Sequence, residues 1–166
     1  MIFKNLTKNF YISSLIIFVI FLLDRISKIY VINLASKNST SELFSSKFLN
    51  INLIWNEGIA FGLLSFDQSH LYNIITSIIA LIIVIVFFMI VKNNNIKRYP
   101  LLLIFGGAIG NLYDRIFFKA VPDFIDFHVG EFHWFIFNVA DIFISIGVIF
   151  MILLELIGSN KDNEKI

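Results

Sequence analysis

Four apolar stretches divide the chain, approximately Tyr11 to Leu34, His70 to Val91, Tyr99 to Phe118 and Phe137 to Ile157. Each is long enough to cross a bilayer, which takes about 20 helical residues at 1.5 Å each. Polar residues interrupt them at few places, and at helical spacing. Asp24 and Lys28 share a face of the first stretch. Asn111, Asp114 and Arg115 stand at i, i+3 and i+4 on the third, and Asn138 and Asp141 open the fourth. The second carries no charge between His70 and Lys92, which predicts a lipid-facing or packing helix. Gly106, Gly107 and Gly110 permit either close helix contact or irregular backbone beside a cavity. Between the first two helices, Phe48 to Trp55 alternates partly and predicts a strand, closed by an Asn56-Glu57-Gly58 turn. Phe61 to Phe66 is apolar and is expected on the membrane surface, with Trp55 and Phe66 at headgroup depth.

Composition turns these stretches into membrane spans. The chain has 166 residues, 58% hydrophobic and 15% charged, with mean hydropathy +0.84. That much apolar surface exceeds what a soluble chain of this length can bury, so a single integral membrane domain over residues 1–166 is expected. The formal net charge of +1 gives no reason to expect a nucleic-acid partner. The absence of cysteine excludes disulfides, a catalytic thiol and cysteine-bound metal. Lys4 and Lys8 ahead of an apolar run resemble a signal peptide. The chain continues through Asp24 to Lys28 into further apolar sequence, however, and an uncleaved first helix is expected, with Leu34-Ala35-Ser36 the weakest point of that reading.

Basic residues set the orientation. Lys4, Lys8, Lys92, Lys97, Arg98, Lys161 and Lys165 lie in the two tails and the short loop after the second helix, while the other two loops are mostly acidic. The positive-inside rule then puts both termini in the cytoplasm and the long loops outside. Asp24, Asn111, Asp114, Arg115, Asn138 and Asp141 thereby reach a common depth near the outer face. Asp123 and Asp126 fall in the connection between the third and fourth helices.

An intramembrane carboxylate is unfavourable by roughly 2.5–3.5 kcal/mol at a helix centre on insertion scales, so several at one depth point to a site. Asp24 with Lys28 reads as a structural ion pair, Asp114 with Arg115 as a buried pair organising the site, and Asp126 as a solvated loop acid. Asp123 and Asp141 make the best reacting pair. Two carboxyls held close share a proton, so one can deprotonate a water while the other donates to a carbonyl oxygen. Asn and Arg side chains nearby can hold a peptide or stabilise the tetrahedral intermediate. Serine chemistry lacks its Gly-x-Ser-x-Gly elbow. His70, His128 and His133 lack HExxH spacing and read as unremarkable, so neither metal nor cofactor is expected. Tyr113-Asp114 matches half of the presenilin-type pattern, whose Gly-x-Gly-Asp partner is missing.

Five stretches together resemble the lipoprotein signal peptidases, or signal peptidase II. They are Asp24 to Lys28, Asn56 to Phe61, Gly106 to Arg115, Val121 to Asp126 and Phe137 to Asp141, in the family's order. The resemblance implies a bacterial membrane endopeptidase that removes signal peptides from prolipoproteins just before a diacylglyceryl-modified cysteine. It implies Asp123 and Asp141 as the catalytic dyad. Asn56, Gly58, Asn111, Arg115 and Asn138 would bind substrate, while Asp24, Lys28 and Asp114 support the site. It further implies inhibition by globomycin and an all-α membrane fold of four transmembrane helices with a small extracytoplasmic β-cradle and a surface helix. Prolipoprotein substrates, membrane lipids and globomycin-type inhibitors are the expected partners of a chain expected to act as a monomer, with no nucleic acid. Ile59 and Pro122 depart from the family's usual residues. A small ion-coupled transporter and a non-catalytic assembly factor are the competing readings; a transporter more often places its acids near the midplane, in repeated halves.

Overall fold

The structure is a computed structural model that describes the backbone of residues 2–58, 68–93 and 95–163 and the side chains of residues 10–58, 70–93 and 95–157. The expected surface segment Phe61 to Phe66, and Ile59, lie outside the described residues.

Helices α1 (Ile2–Asn38), α2 (Gln68–Lys92), α3 (Arg98–Phe117) and α4 (Val139–Asn163) form around the apolar stretches. Among the described residues, two of them, over His70–Lys92 and Val139–Ile157, are long and apolar enough to cross a membrane. Helices α1 and α3 instead carry the buried charges described below. Ile78, Leu81, Ile82 and Ile85 of α2 and Ile149, Leu153 and Leu156 of α4 are exposed. Contiguous apolar surface of this kind marks a face made for lipid or a partner.

The glycines on α3 serve close helix packing. A Cβ at Gly106 would stand 3.0 Å from Ile20 of α1, and one at Gly107 only 2.5 Å from the Ala140 carbonyl oxygen of α4. At Gly110 it would stand 2.6 Å from Asp24 Oδ2. Helix α3 is therefore the centre of the bundle, with α1 and α4 against its glycine faces.

The sheet is larger than the sequence suggests. Strands β1 (Glu42–Ser45), β2 (Leu49–Asn56), β3 (Val121–Val129) and β4 (Phe132–His133) form one antiparallel sheet in that order. The strand expected over Phe48 to Trp55 is β2. The connection after α3, expected as a loop, is instead the nine-residue strand β3. Its partner β2 is distant in sequence, and Pro122 weakens the local signal by removing a ladder donor. Pro122 is tolerated near the start of the strand, before the stretch that β4 covers. The register sets Ile54 opposite Asp123 and Asn50 opposite Asp126, and a Phe137 bridge to Ile125 ties the entry of α4 to the sheet.

Candidate active site

Helix α4 begins with a reciprocal cap. Asn138 Oδ1 accepts from the Asp141 N–H at 3.2 Å, and Asp141 Oδ2 accepts from the Asn138 N–H at 3.0 Å. This is a capping box with Asn and Asp in the usual Ser/Thr and Glu roles. The third donor of the turn, the Ala140 N–H, reaches Asp24 Oδ1 of α1 at 3.2 Å. The helix start is thus satisfied by the same acids that line the interior.

Asn138 also links the two candidate carboxylates. Its amide donates to Asp123 Oδ1 at 2.6 Å while its backbone N–H holds Asp141. Asp123 Oδ2 accepts from Asn56 Nδ2 at 2.9 Å, because the register of β2 and β3 brings the end of β2 alongside. Asp141 Oδ1 accepts from Asn111 Nδ2 of α3 at 2.8 Å. Asn56, Asn111, Arg115, Asp123, Asn138 and Asp141 line one cavity of about 220 Å³, with Ile79, Val121 and Ile144 as apolar wall.

Burial pushes the Asp123 carboxyl above the usual carboxylate range. The Asn56 and Asn138 donors and the Lys28 charge pull the other way, while the negative charge of Asp141 adds to the rise. Asp123 is 4% exposed.

Beneath the cavity lies a charge-balanced cluster of two acids and two bases. Arg25 grips Asp114 through Nη1 and, at 2.6 Å, through Nη2, and it also contacts Asp24 Oδ2 at 2.6 Å. Lys28 Nζ lies 2.9 Å from Asp24 Oδ1 and 2.7 Å from Asp114 Oδ2. Asp24, Lys28 and Asp114 are essentially inaccessible. Asp114 does not pair with Arg115 as the sequence predicts: adjacent helical residues point about 100° apart, so Asp114 turns to α1 and Arg115 to the cavity. Arg25, inside the Asp24 to Lys28 stretch, carries no role that helical spacing predicts. Its bidentate grip joins two helices, and spacing within one helix could not reveal it.

Arg115 sits over the Tyr72 ring at 5.7 Å, and the Tyr72 hydroxyl donates to its carbonyl at 2.9 Å. Its Nη1 is buried without a hydrogen-bond partner among the described residues, a donor left free for a ligand. Gly58 follows Asn56 in an Asx turn, its N–H donating to Asn56 Oδ1 at 2.7 Å with φ +77°. A Cβ there would stand 2.7 Å from Arg115 Nη1. Asp126, expected as a solvated acid, is 2% exposed and bonded to Asn50 and His133. Its burial comes from strand pairing, which the sequence does not display.

Largely apolar helices packed round a buried charge network, with a carboxylate-lined cavity above it, define an enzyme of the membrane. The signal peptidase (SPase) II family profile matches residues 16–157. The chain belongs to that family. It is 56% identical over 159 residues to a lipoprotein signal peptidase of Pelagibacter ubique, covering 95% of this chain and 96% of the relative. A lipoprotein signal peptidase of Anaplasma marginale is 36% identical over 156 residues, with 93% and 89% covered. A bacterial membrane enzyme solved by the in meso method at 2.3 Å resolution superposes with a TM-score of 0.69 at 32% identity, over 90% of each chain.

Proposed function

We propose that this protein removes signal peptides from diacylglyceryl-cysteine prolipoproteins by aspartic chemistry, with Asp123 and Asp141 as the catalytic pair. One observation carries the reading: a strand and a helix deliver two carboxylates to one cavity, and Asn138 holds both. The ionised member takes a proton from a water, and the hydroxide formed attacks the scissile carbonyl. The protonated member gives its proton to the carbonyl oxygen. Collapse of the tetrahedral intermediate expels the amine, which leaves with a proton returned from the pair. Asn56, Asn111 and Asn138 keep the carboxylates aimed, and the free Arg115 donor together with the Gly58 turn positions the substrate backbone. Asp24, Arg25, Lys28 and Asp114 hold α1 to α3 beneath.

All four helices cross the membrane in this proposal, as one domain acting as a monomer. Both termini are cytoplasmic and the cavity opens at the outer face. There the scissile bond of a lipid-anchored substrate meets water without either crossing the hydrocarbon core. An apolar groove of about 450 Å³ starts at Asp141 and follows α4 past Ile142, Ile146 and Ile149, which suits lipid or an apolar substrate segment. Globomycin-type inhibitors should occupy the same site.

The test is cleavage of a diacylglyceryl-modified prolipoprotein by the purified full chain, with and without globomycin, beside Asp123→Asn and Asp141→Asn. Activity abolished by the inhibitor and by each substitution, in folded protein, supports the reading. Cleavage retained by either variant sinks the dyad. An inert, folded wild type favours the transporter or assembly-factor reading.

A further inference from the structure

We propose that Asp126, His128 and His133 form a binding site for one divalent transition-metal ion of the zinc type. It lies on the face of β3 opposite Asp123, as strand alternation places residues three apart. The proposal goes beyond the peptidase reading and does not depend on it.

The three side chains each offer a ligand atom, and these atoms all lie within 4.8 Å of one another. His133 Nδ1 lies 3.0 and 2.9 Å from the two Asp126 oxygens. His128 and His133 are cross-strand partners whose rings stack with centroids 5.1 Å apart and planes at 19°. Tetrahedral zinc with bonds near 2.1 Å sets its donors about 3.4 Å apart, so these atoms need to close by little more than about 1 Å to share one ion. Two imidazoles and one carboxylate match a zinc centre that keeps a fourth position open.

An Asp126–His133 ion pair explains only part of this arrangement. It leaves out His128, whose Nδ1 is buried with no hydrogen-bond partner among the described residues. Two neutral imidazoles side by side can both ligate one metal ion. Asn50 supplies the outer support a ligand carboxylate needs, its Nδ2 donating to Asp126 Oδ2 at 3.3 Å from the neighbouring strand. The donors span the Gly130–Glu131 turn between β3 and β4, so a bound ion would pin that hairpin three residues from Asp123.

The experiment titrates zinc chloride into the chelator-stripped, tag-free full chain in detergent, by calorimetry and thermal melting. One saturable equivalent per chain and a raised melting temperature are expected. His128→Ala and His133→Asn should each weaken zinc by more than about a hundredfold and abolish the thermal shift, and Asn50→Ala should weaken it about tenfold. The His133 side chain is 51% exposed, and the Asn variant keeps a donor for Asp126, so it should fold. Asp141→Asn should bind zinc as the wild type does. No saturable binding by the wild type, binding unchanged in the two His variants together, or binding lost in Asp141→Asn would each overturn the proposal.

Discussion

Lys28 Nζ donates to Asn111 Oδ1 at 2.8 Å, and this fixes which end of the Asn111 amide faces Asp141. With its oxygen engaged by an ammonium, the amide can present only Nδ2 to the carboxylate, which it does at 2.8 Å. Beside the direct Ala140 N–H to Asp24 contact, this amide gives the buried charges a second route to the cavity, joining α1 to α4 by way of α3. Asn111→Ala should lower kcat about tenfold to a hundredfold, the range for a hydrogen bond to a charged group worth about 1.5–3 kcal/mol. KM should change little. Lys28→Met leaves two buried acids facing Arg25 alone and should destabilise the fold by roughly 3–5 kcal/mol as well. Steady-state kinetics beside thermal melting separates the two effects; equal stability loss without a kcat effect in Asn111→Ala refutes the relay.

Gly58 and Arg115 are coupled by space. An alanine at φ +77° carries a left-handed strain of about 1–2 kcal/mol. Its Cβ also falls 2.7 Å from Arg115 Nη1, the far end of a flexible side chain. The guanidinium should therefore swing aside while the fold survives. Gly58→Ala is expected to raise KM, or lower kcat/KM, by tenfold or more with only a modest drop in melting temperature. Arg115→Ala in the Gly58→Ala background should then add little further loss, because both act on one group.

Asp123 links stability to pH in the direction opposite to a salt-bridged acid. Burial first, then the charge of Asp141, raises its carboxyl. The folded state consequently holds a proton that the unfolded chain has lost, above the ordinary carboxylate value of about 4. More protons bound when folded means that its contribution to stability falls as pH rises through that window, up to the raised folded value. Asp123→Asn removes the dependence, so the melting temperature of the variant should gain on that of the wild type as the pH rises above about 4. Parallel melting curves for the two proteins across that range would refute this. In the active wild type the coupled pair should give a bell-shaped rate profile.

The helices were legible because apolar runs and rare charges are local signals, and so was β2 with its Asx turn. Strand β3 was not: Val121, Phe124, Ile125 and Phe127 do not alternate, and Pro122 argues against a strand. Its pairing is set by β2, far away in sequence. The candidate site was legible as residue types at helical spacing, yet its wiring was not. Asn138 and Asp141 read as a polar pair, and the same spacing is also a capping signature that could have been recognised. Arg25 with Asp114 and Asp126 with His133 are contacts between elements, which spacing along one element does not encode.

Gly107 tests whether α3 and α4 must stay in contact for the cavity to work. A Cβ there would meet the Ala140 carbonyl oxygen at 2.5 Å and Ile144 Cγ1 at 2.9 Å. The first is backbone and cannot rotate away, so Gly107→Ala must push the start of α4 outward. Asp141 follows Ala140 directly and would leave its Asn111 donor. Overpacking of this kind costs about 1–3 kcal/mol, and activity should fall by far more than the unfolded fraction explains. Gly130→Ala provides the contrast. Its φ of +60° brings comparable strain, but nothing lies within 4 Å of its Cβ. It should therefore destabilise by about 1–2 kcal/mol while the folded enzyme keeps its rate. Equal rate loss in both variants, measured per folded molecule, would show that helix separation is not what the activity senses.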